Sequence, residues 1–411
     1  MAKKKINSID RTALTPNYAP AWFTPVRGKK SILWDEEGND YVDFGGGIAV
    51  TCLGHSHPEL IKVLKDQSTK LWHVSNYLYN EPALELSSLL AKKTFADKVF
   101  FSNSGNEANE AAIKLARRYF YDKGRPEKHE VVVFTDAFHG RSMLNISAGD
   151  SKSQKTGFGP LLKGFKRAKF NDLKSVEKVI TKNTAAIFVE PILGESGIIR
   201  ATNPFLMGLR KLADKNNVLL IFDEVQSGVG RTGTLMAYMG YGVIPDISTL
   251  AKGLGGGIPI GATLAKNHIA KAFQPGTHGS TFGGNPLACI VAKKVIEIIS
   301  SQKVLSGVIK KTISFTEKLN SLSEKYDIFS DVRSAGLWIG CDFKKVKSSD
   351  FIQAAYNEGL IVVQAAGEKT IRLAPSLIIS DKEINEGFKR FEKAYKNLSL
   401  IHISEPTRLL A

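Results

Sequence analysis

Between about residue 95 and residue 265, the chain repeats one local pattern of strand followed by helix. Short runs of β-branched or aromatic residues are each followed by a turn and then by apolar residues at helical spacing. The runs are VFF (99–101), VVVF (131–134), AIFV (186–189), VLLIF (218–222), ISTL (247–250) and IGATLA (260–265). This alternation predicts an α/β fold, with a mostly parallel sheet covered by helices on both faces.

The segments on either side of this repeat predict a smaller α+β unit. ILWDEEGNDYVDF (32–44) predicts a hairpin around Glu37-Gly38-Asn39, and short strands after about residue 330 precede a helix that begins at Ser380 with Glu383 in a capping box. We expect four parts: an N-terminal segment joining the small domain (1–60), a large domain (61–295), a small C-terminal domain (296–398) and a disordered or non-native tail (399–411).

Composition narrows the possible functions. No apolar run in the 411 residues approaches the roughly 20 needed to cross a bilayer, and the basic start MAKKKINSID lacks the apolar stretch of a secretory signal. The cysteines Cys52, Cys289 and Cys341 are widely separated and form no CxxC pair, which predicts neither a disulfide framework nor a metal site. We therefore expect a cytoplasmic protein without membrane contact.

The formal net charge of +16 invites a nucleic-acid interpretation, which the pattern of charges does not favour. The lysines are scattered along the chain, and no basic segment is interleaved with aromatic residues or matches a nucleic-acid-binding motif. We expect no nucleic-acid partner, and at most a modest attraction of anionic small molecules.

The residues that follow the predicted strands indicate where a ligand would bind, because open α/β sheets bind ligands at the carboxyl ends of their strands. In chain order these segments are SNSGNE, TDAFHGR, EPILGE, DEVQ and AK. Ser104 and Glu107 have capping-box spacing, so a helix start that favours anions follows the first strand. The segments together supply a helix start, an aromatic ring, an arginine, acids, an amide and a lysine at one edge.

Each of these signals has a simpler explanation when taken alone. Ser104, Gly105 and Asn106 could only cap a helix, and Phe138 could belong to the core. Asp223 and Glu224 resemble the acidic end of a nucleotide-hydrolysing strand, but the GxxxxGK[ST] loop that such a site requires is missing. His55 and His57, in GHSHPE, lack further metal ligands, so we interpret them as turn and packing residues.

Lys252, in TLAKGLGGG, favours a ligand-binding site over these simpler explanations. A lone lysine at a strand end is usually a surface residue. Here it shares an edge with an acid, an anion-binding helix start, an aromatic ring and an arginine. Pyridoxal 5'-phosphate needs this set: a lysine for covalent attachment, an acid at the ring nitrogen and a cradle for the phosphate.

The chain resembles the class III (subgroup II) pyridoxal-phosphate aminotransferases, within them the acetylornithine and succinylornithine group, from about residue 16 to residue 395. The resemblance lies in seven motifs: FSNSGNEANEAAIKLAR, AFHGRS, VEPILGESG, LLIFDEVQSGVGRTG, TLAKGLGGGIPIGA, HGSTFGGNPLA and IRLAPSLII. It implies the aspartate-aminotransferase-like fold type I, with a large mostly parallel-sheet domain and a small α+β domain. It also implies a homodimer with shared active sites.

The resemblance implies roles for the residues within these motifs. Lys252 would bind the cofactor covalently and move protons, and Asp223 would keep the ring nitrogen protonated. The other implied cofactor-binding residues are Ser104, Gly105 and Asn106 at the phosphate, Phe138 on the ring face, His139, Gln226 at the phenolic oxygen, and Thr281 of the neighbouring subunit. The implied substrate-binding residues are Arg141, Ser280 and Arg372, with Glu195 as an acid that pairs with Arg372 and releases it.

The implied reaction moves the δ-amino group of N2-acetylornithine or N2-succinylornithine to 2-oxoglutarate by a ping-pong mechanism, as in arginine metabolism. Ornithine, 4-aminobutyrate or another ω-amino acid as donor is the main alternative. Racemase or aminomutase chemistry and a non-catalytic binding role are remoter ones. Two positions depart from the family pattern: Asn106 stands where threonine, alanine or valine is usual, and Ser196 stands in the usual GEGG motif.

Overall fold

The computed structural model of the protein describes residues 13–365 and 367–404. The first elements are β1 (Pro25–Lys29), β2 (Ile32–Asp35), β3 (Asp40–Asp43), α1 (Gly46–Ala49), α2 (Pro58–Ser68) and α3 (Glu81–Lys93). Strands β2 and β3 pair antiparallel around Gly38, whose φ of 91° favours glycine. The predicted hairpin is therefore confirmed.

The repeating segment folds into alternating strands and helices, as its pattern predicts. In chain order these are β4 (Lys98–Ser102), α4 (Gly105–Asp122), β5 (Glu130–Phe134), α5 (Met143–Ala148), α6 (Lys152–Lys155), β6 (Phe165–Ala168), α7 (Leu173–Val179), β7 (Thr184–Val189), β8 (Ile192–Leu193), β9 (Ile199–Arg200), α8 (Asn203–Asn216), β10 (Leu219–Asp223), α9 (Ala237–Tyr241), β11 (Ile247–Leu250), β12 (Gly261–Ala265) and α10 (Asn267–Ala270). A short 3₁₀-helix, Lys252–Gly255, follows β11.

Within the described residues, seven strands form the central sheet in the order β4-β12-β11-β10-β7-β5-β6. Strand β12 is antiparallel to both of its neighbours, and the other neighbouring pairs are parallel. The mostly parallel sheet and the α/β fold are thus confirmed. The carboxyl ends of β4, β5, β7, β10 and β11 lie at one edge, which is where such sheets bind ligands.

The two faces of this sheet are covered by different helices. In β5, Val131 and Val133 pack in the core cluster that includes α4, whereas Val132 and Phe134 face the other side. There Phe134 meets Phe205 of α8, with ring centroids 5.6 Å apart. Neighbouring residues of a strand point to opposite faces, so a strand buried on both sides is apolar throughout. This explains the continuous runs in the sequence.

Strand β6 is an element that the apolar runs did not predict. Its sequence, FKRA, carries two cations, and it pairs with β5 at the edge of the sheet. Lys166 reaches Glu130 on the neighbouring strand, with Nζ 3.2 Å from Oε1. An edge strand can expose part of its surface and keep charged residues, so an apolar run is not required.

The C-terminal part contains α11 (Pro286–Ile299), α12 (Gln302–Tyr326), β13 (Phe329–Ser334), β14 (Ile339–Phe343), α13 (Ser348–Asn357), β15 (Leu360–Ile361), β16 (Val363–Gln364), β17 (Thr370–Leu373) and α14 (Asp381–Ser404). A second sheet has the order β13-β14-β17-β16, with antiparallel neighbours. Strand β15 instead joins the N-terminal hairpin, where it pairs parallel with β3.

Two side-chain contacts reinforce this link between the chain's ends. Glu383, at the start of α14, accepts a hydrogen bond from the backbone of Ser31, and Arg390 forms an ion pair with Asp40. The predicted domain boundaries stay predictions. The predicted tail from residue 399 begins inside α14, which continues to Ser404, and residues 405–411 lie outside the described residues.

The two longest helices, α12 and α14, are amphipathic. Helix α12 buries Val308, Phe315, Leu319 and Leu322 on one face and carries many charged residues elsewhere. Across the described parts of the chain, no helix combines the length and the apolar character needed to cross a membrane.

Candidate active site

The start of α4 forms an anion-binding corner directly after β4. Ser104 is the N-cap, and its Oγ accepts a hydrogen bond from the backbone N–H of Glu107 at 3.2 Å. The Glu107 carboxylate in turn accepts from the N–H of Asn103 and the hydroxyl of Ser104. This confirms the predicted cap in a shifted form, because Glu107 reaches one residue further back than a standard capping box.

Gly105 is the position in this corner where a side chain cannot fit. A Cβ there would lie 2.6 Å from Cγ1 of Val225, in the segment after β10. The backbone N–H groups of the first helical turn have no acceptor within the helix and carry the positive end of its dipole. The corner can therefore bind a phosphate group.

Asp223, at the end of β10, lies at the centre of a buried polar network. The residue is 5% exposed, and Oδ2 lies 2.8 Å from Nδ1 of His139 and 2.7 Å from Nδ2 of Asn109. Asn109 is itself oriented by the hydroxyl of Thr249, which donates to its Oδ1 at 2.7 Å. The His139 ring stacks on Phe188, with centroids 4.0 Å apart. The carboxylate is held in one orientation beside the cavity.

Gln226, three residues after Asp223, carries an unsatisfied donor. It is 8% exposed, and its Nε2 is buried without a hydrogen-bond partner in the described part of the chain. An unpaired buried donor costs about 1–3 kcal/mol. Such a donor suits a ligand that brings an oxygen acceptor.

Lys252 follows β11 and opens the 3₁₀-helix. Its φ of 43° lies in the left-handed region, which turns the chain sharply after the strand. Burial lowers the pKa of its amine to about 8, although the charge of Glu195 opposes this shift. About a tenth of such amines are neutral and nucleophilic at pH 7, far more than with the ordinary pKa of 10.5.

The predicted pair of Arg372 and Glu195 is formed. Arg372 Nη1 and Nη2 donate to the two carboxylate oxygens of Glu195 at 2.7 and 3.0 Å, in the bidentate geometry that favours this pair. Burial alone would raise the pKa of Glu195, but the charge and hydrogen bonds of Arg372 hold that pKa below its usual value. Arg372 is 4% exposed, so the pair is largely desolvated on the arginine side.

The loop after β5 brings three predicted residues to the same place. The backbone N–H of Phe138 donates to Glu190 Oε1 at 2.8 Å, and His139 contacts Asp223 as described. Arg141 is exposed, with its guanidinium carbon 5.8 Å from the centre of the Phe138 ring. This loop therefore places an aromatic face, an imidazole and a guanidinium beside one another.

These residues enclose a cavity of about 490 Å³ at the carboxyl edge of the central sheet. The predicted residues among those that line it are Ser104, Gly105, Asn106, Phe138, His139, Arg141, Asp223, Gln226 and Lys252. Glu195 and Arg372 are not in this lining, but their charges act on Lys252. The structure thus brings most of the predicted site together.

Ser280 and Thr281 lie outside this lining. The Ser280 hydroxyl accepts from Asn103 Nδ2 at 3.2 Å and from the Gly283 backbone at 3.0 Å. Thr281 is exposed on the same loop. Their implied roles in cofactor and substrate binding therefore stay predictions for a shared site.

Asn109 and Glu190 line the cavity, and sequence reasoning did not single them out. Both had a usable signal: Asn109 is three residues after Asn106 on α4 and shares its face, and Glu190 directly follows β7. Burial, together with the charge of Asp223, raises the pKa of Glu190 well above its usual value.

Known proteins resemble the chain along nearly its whole length. It is 49% identical over 389 residues to the acetylornithine aminotransferase of Pseudomonas putida, covering 94% of this chain and 96% of that protein. It is also 49% identical over 388 residues to the succinylornithine transaminase/acetylornithine aminotransferase of Pseudomonas aeruginosa, covering 94% of this chain and 95% of that protein.

A solved structure shows the same fold. The crystal structure of N-acetylornithine aminotransferase from Stenotrophomonas maltophilia K279a matches with a TM-score of 0.82 and 36% identity, covering 93% of this chain and 98% of that one. Residues 13–395 match the family described as aminotransferase class-III. The chain is a member of the class-III aminotransferases, with their α/β fold of type I.

Proposed function

We propose that the protein transfers the δ-amino group of an N2-acylornithine, acetylated or succinylated, to 2-oxoglutarate. The observation that carries this proposal is the bidentate pair of Arg372 and Glu195 close to the Lys252 amine. The names of the relatives at 49% identity support the same substrate class. Transfer from ornithine, 4-aminobutyrate or another ω-amino acid is the alternative within the family.

The residues of the cavity fit pyridoxal 5'-phosphate. Gln226 offers a buried, unpaired Nε2 for the phenolic oxygen, Asp223 offers a carboxylate for the ring nitrogen, and the start of α4 offers free N–H groups for the phosphate. When bound, this cofactor supplies a carbonyl group that carries the amino group and a ring that withdraws electrons. Lys252 would hold it covalently, and Phe138 would lie against its ring.

Lys252 would also perform the proton transfer of the reaction. Its amine would take a proton from the substrate carbon that bears the transferred amino group, and would return one in the reverse half-reaction. A base is most effective when its pKa lies near the working pH, and a pKa of about 8 meets this condition better than the ordinary 10.5.

Arg141 and Arg372 would bind the substrate carboxylates. Glutamate and 2-oxoglutarate carry two carboxylates and can occupy both arginines. The ornithine part of an N2-acylornithine carries only one, and the second carboxylate of the succinyl compound lies at the far end of its acyl group. In the acylornithine half-reaction, Arg372 would remain as a desolvated charge without an anion unless Glu195 neutralised it. A movable acid thus lets one site accept both substrates in turn.

We also propose a homodimer in the cytoplasm, with Thr281 of each subunit completing the phosphate site of the other. The loop of Ser280 and Thr281 lies beside the start of α4, to which Asn103 ties it. Exposed aromatic residues surround this loop, as expected for a surface that a second copy covers.

Half-reaction kinetics with purified holoenzyme test the proposed donor. We expect the highest kcat/KM with N2-acetylornithine or N2-succinylornithine, and lower values with ornithine, lysine and 4-aminobutyrate. A preference for ornithine or 4-aminobutyrate would favour the alternative.

The variant Glu195→Gln tests the role of the ion pair. Its acylornithine half-reaction should lose about tenfold in kcat/KM, or ~1.4 kcal/mol, because Arg372 is left unpaired. The glutamate half-reaction should stay within about threefold, since the substrate itself supplies the anion. Glu37→Gln, the same chemical change on the exposed hairpin, serves as the control. Equal losses in both half-reactions would contradict the switch.

A further inference from the structure

The side chain of Asn106 lies at the helix start yet is turned toward the loop after β5. Its Oδ1 accepts hydrogen bonds from the backbone N–H groups of Arg141 and Ser142, at 2.8 and 2.9 Å. Asn145 Nδ2 donates to the same oxygen at 2.9 Å and to the Asn106 backbone carbonyl at 2.7 Å. The carboxamide oxygen of Asn106 therefore accepts three hydrogen bonds from one short segment, residues 141–145.

The orientation of this carboxamide follows from its partners. Backbone N–H groups can only donate, so the atom facing Arg141 and Ser142 must be the oxygen and not the amide nitrogen. The loop is shaped to receive it at Gly140, where a Cβ would lie 2.3 Å from Asn106 Oδ1 and φ is 130°. Any side chain at residue 140 would push the oxygen and the Arg141 amide apart.

We propose that Asn106 is a positioning residue that fixes Arg141 for binding a substrate carboxylate, rather than a side-chain ligand of the cofactor phosphate. Its oxygen is fully used by the loop, which leaves the backbone N–H groups of the helix start for an anion. The proposal rests on the proposed function, in which Arg141 binds a carboxylate.

Arg141 needs its backbone held in place because its side chain is exposed to solvent. Its long side chain is exposed, and its guanidinium lies beside the Phe138 ring of the same loop, so its direction depends on the backbone of that loop. A guanidinium binds a carboxylate best in a planar, bidentate arrangement, which small shifts of the backbone destroy. Holding the Arg141 and Ser142 amides therefore preserves the geometry of the binding group.

Three measurements on Asn106→Ala test the proposal. The first is the dissociation constant of the holoenzyme for glutarate, an unreactive dicarboxylate, from the change in cofactor absorbance. The second is the dissociation constant of the apoenzyme for pyridoxal phosphate. The third is the separate effect on kcat and KM. We expect glutarate to bind about tenfold more weakly and KM for 2-oxoglutarate to rise similarly. Cofactor affinity and kcat should change less than about threefold.

Coupling to Arg141 separates positioning from a general loss of structure. Arg141→Ala should weaken glutarate binding by itself, and the double variant Asn106→Ala with Arg141→Ala should be no weaker than Arg141→Ala alone. Thr202→Ala is the matched control, because it removes another bond from a side chain to a helix start, at α8, outside the cavity lining. It should lower Tm without changing glutarate binding.

The variant Asn106→Ser provides a second test in case Asn106→Ala misfolds. Asn106→Ser keeps a residue that favours helix ends but is too short to reach both amides, so it should weaken glutarate binding in the same way. Unchanged glutarate binding in Asn106→Ala or Asn106→Ser, with a loss in Arg141→Ala, overturns the role of Asn106 and leaves the proposed function standing. Unchanged glutarate binding in Arg141→Ala would overturn both the role of Asn106 and the carboxylate-binding role of Arg141 in the proposed function. If the double variant binds glutarate more weakly than Arg141→Ala alone, by the factor that Asn106→Ala shows by itself, then Asn106 does not act through Arg141.

Discussion

Lys252 occupies a backbone conformation that lysine rarely adopts. A positive φ costs a residue with a Cβ on the order of 1–2 kcal/mol, so the surrounding structure must enforce it. Lys252 lies between the end of β11 and the glycines of the 3₁₀-helix, and these glycines permit the sharp turn that follows the strand. The conformation directs the amine toward the cavity that Asp223 and Gln226 also line.

The pKa of Lys252 gives a prediction at this scale. In the apoenzyme, labelling of its amine by an amine-reactive reagent should rise with a midpoint near pH 8, because burial disfavours the charged form. Competitive labelling followed by mass spectrometry measures this midpoint, with the exposed Lys29 as an internal reference. A midpoint near 10.5 for Lys252 would contradict the prediction.

The same shift affects stability in a defined pH window. The folded-state pKa is lower than the unfolded one, so the unfolded chain binds more protons between about pH 8 and 10.5. The contribution of Lys252 to the free energy of unfolding therefore rises with pH across this window. Below pH 8 the cost of burying the charge is fully present.

At the scale of elements, the ends of helices and strands position the site. The N-terminus of α4 forms the anion corner, and the loop after β5 is held by Glu190, Asp223 and Asn106. Ser196 adds a bond from the turn that carries Glu195 to this loop, donating to the Asp136 carbonyl at 2.6 Å. The two positions that depart from the family pattern, Asn106 and Ser196, thus both contact the loop of Arg141.

The start of α14 provides a prediction for an element. Glu383 completes the predicted capping box, accepting from the Ser380 backbone at 2.9 Å, and also accepts from the Ser31 backbone at 3.0 Å. Glu383→Ala should destabilise the protein by about 1–3 kcal/mol, because two backbone donors lose their acceptor. A lower Tm in thermal unfolding measures this loss.

Asp381→Ala is the matched control for Glu383→Ala. Asp381 is an exposed acid in the same first turn, where it favours the helix through its dipole and also interacts with the charge of Lys311. Its replacement should lower Tm far less. Similar effects of both variants would show that charge at the helix start, rather than the two hydrogen bonds, stabilises this end.

At the scale of the whole molecule, one surface exposes a cluster of large aromatic and apolar side chains. Tyr77 and Tyr79 are 97% and 90% exposed, and Trp72, Leu78 and Phe282 are also exposed. These residues, which we call the aromatic surface, adjoin the loop of Ser280 and Thr281, since Asn76 donates to the Ser280 carbonyl at 2.7 Å. Exposed aromatic clusters of this kind favour association with another protein surface.

We expect Leu78→Glu to shift the protein from dimer to monomer in analytical ultracentrifugation. Leu78 is exposed in the single chain, so a charge there harms its fold little, but it would be buried between two copies. The monomer should also retain pyridoxal phosphate less well, because Thr281 would come from the partner. Ile244→Glu, at an exposed apolar residue away from the aromatic surface, is the control. An unchanged dimer in Leu78→Glu would contradict this interface.

Local patterns in the sequence determined the fold class, the helix starts at Ser104 and Ser380, and the edge where the site lies. Periodicity and capping act between near neighbours, and the edge follows from the direction of parallel strands. Strand β6 was missed because an edge strand needs no apolar run. The placement of Lys252, Asp223 and Gln226 around one cavity agrees with the pattern of strand ends.

Only the tertiary structure decided which side chains meet. Glu195 and Arg372 are 177 residues apart, and no local pattern specifies their bidentate contact. The family resemblance suggested the phosphate for Asn106, whereas the fold directs its side chain to the backbone of Arg141. Ser280 and Thr281 fall outside the cavity of their own chain. Such contacts depend on how distant elements pack, because hydrogen bonds need ångström-scale placement that periodicity does not encode.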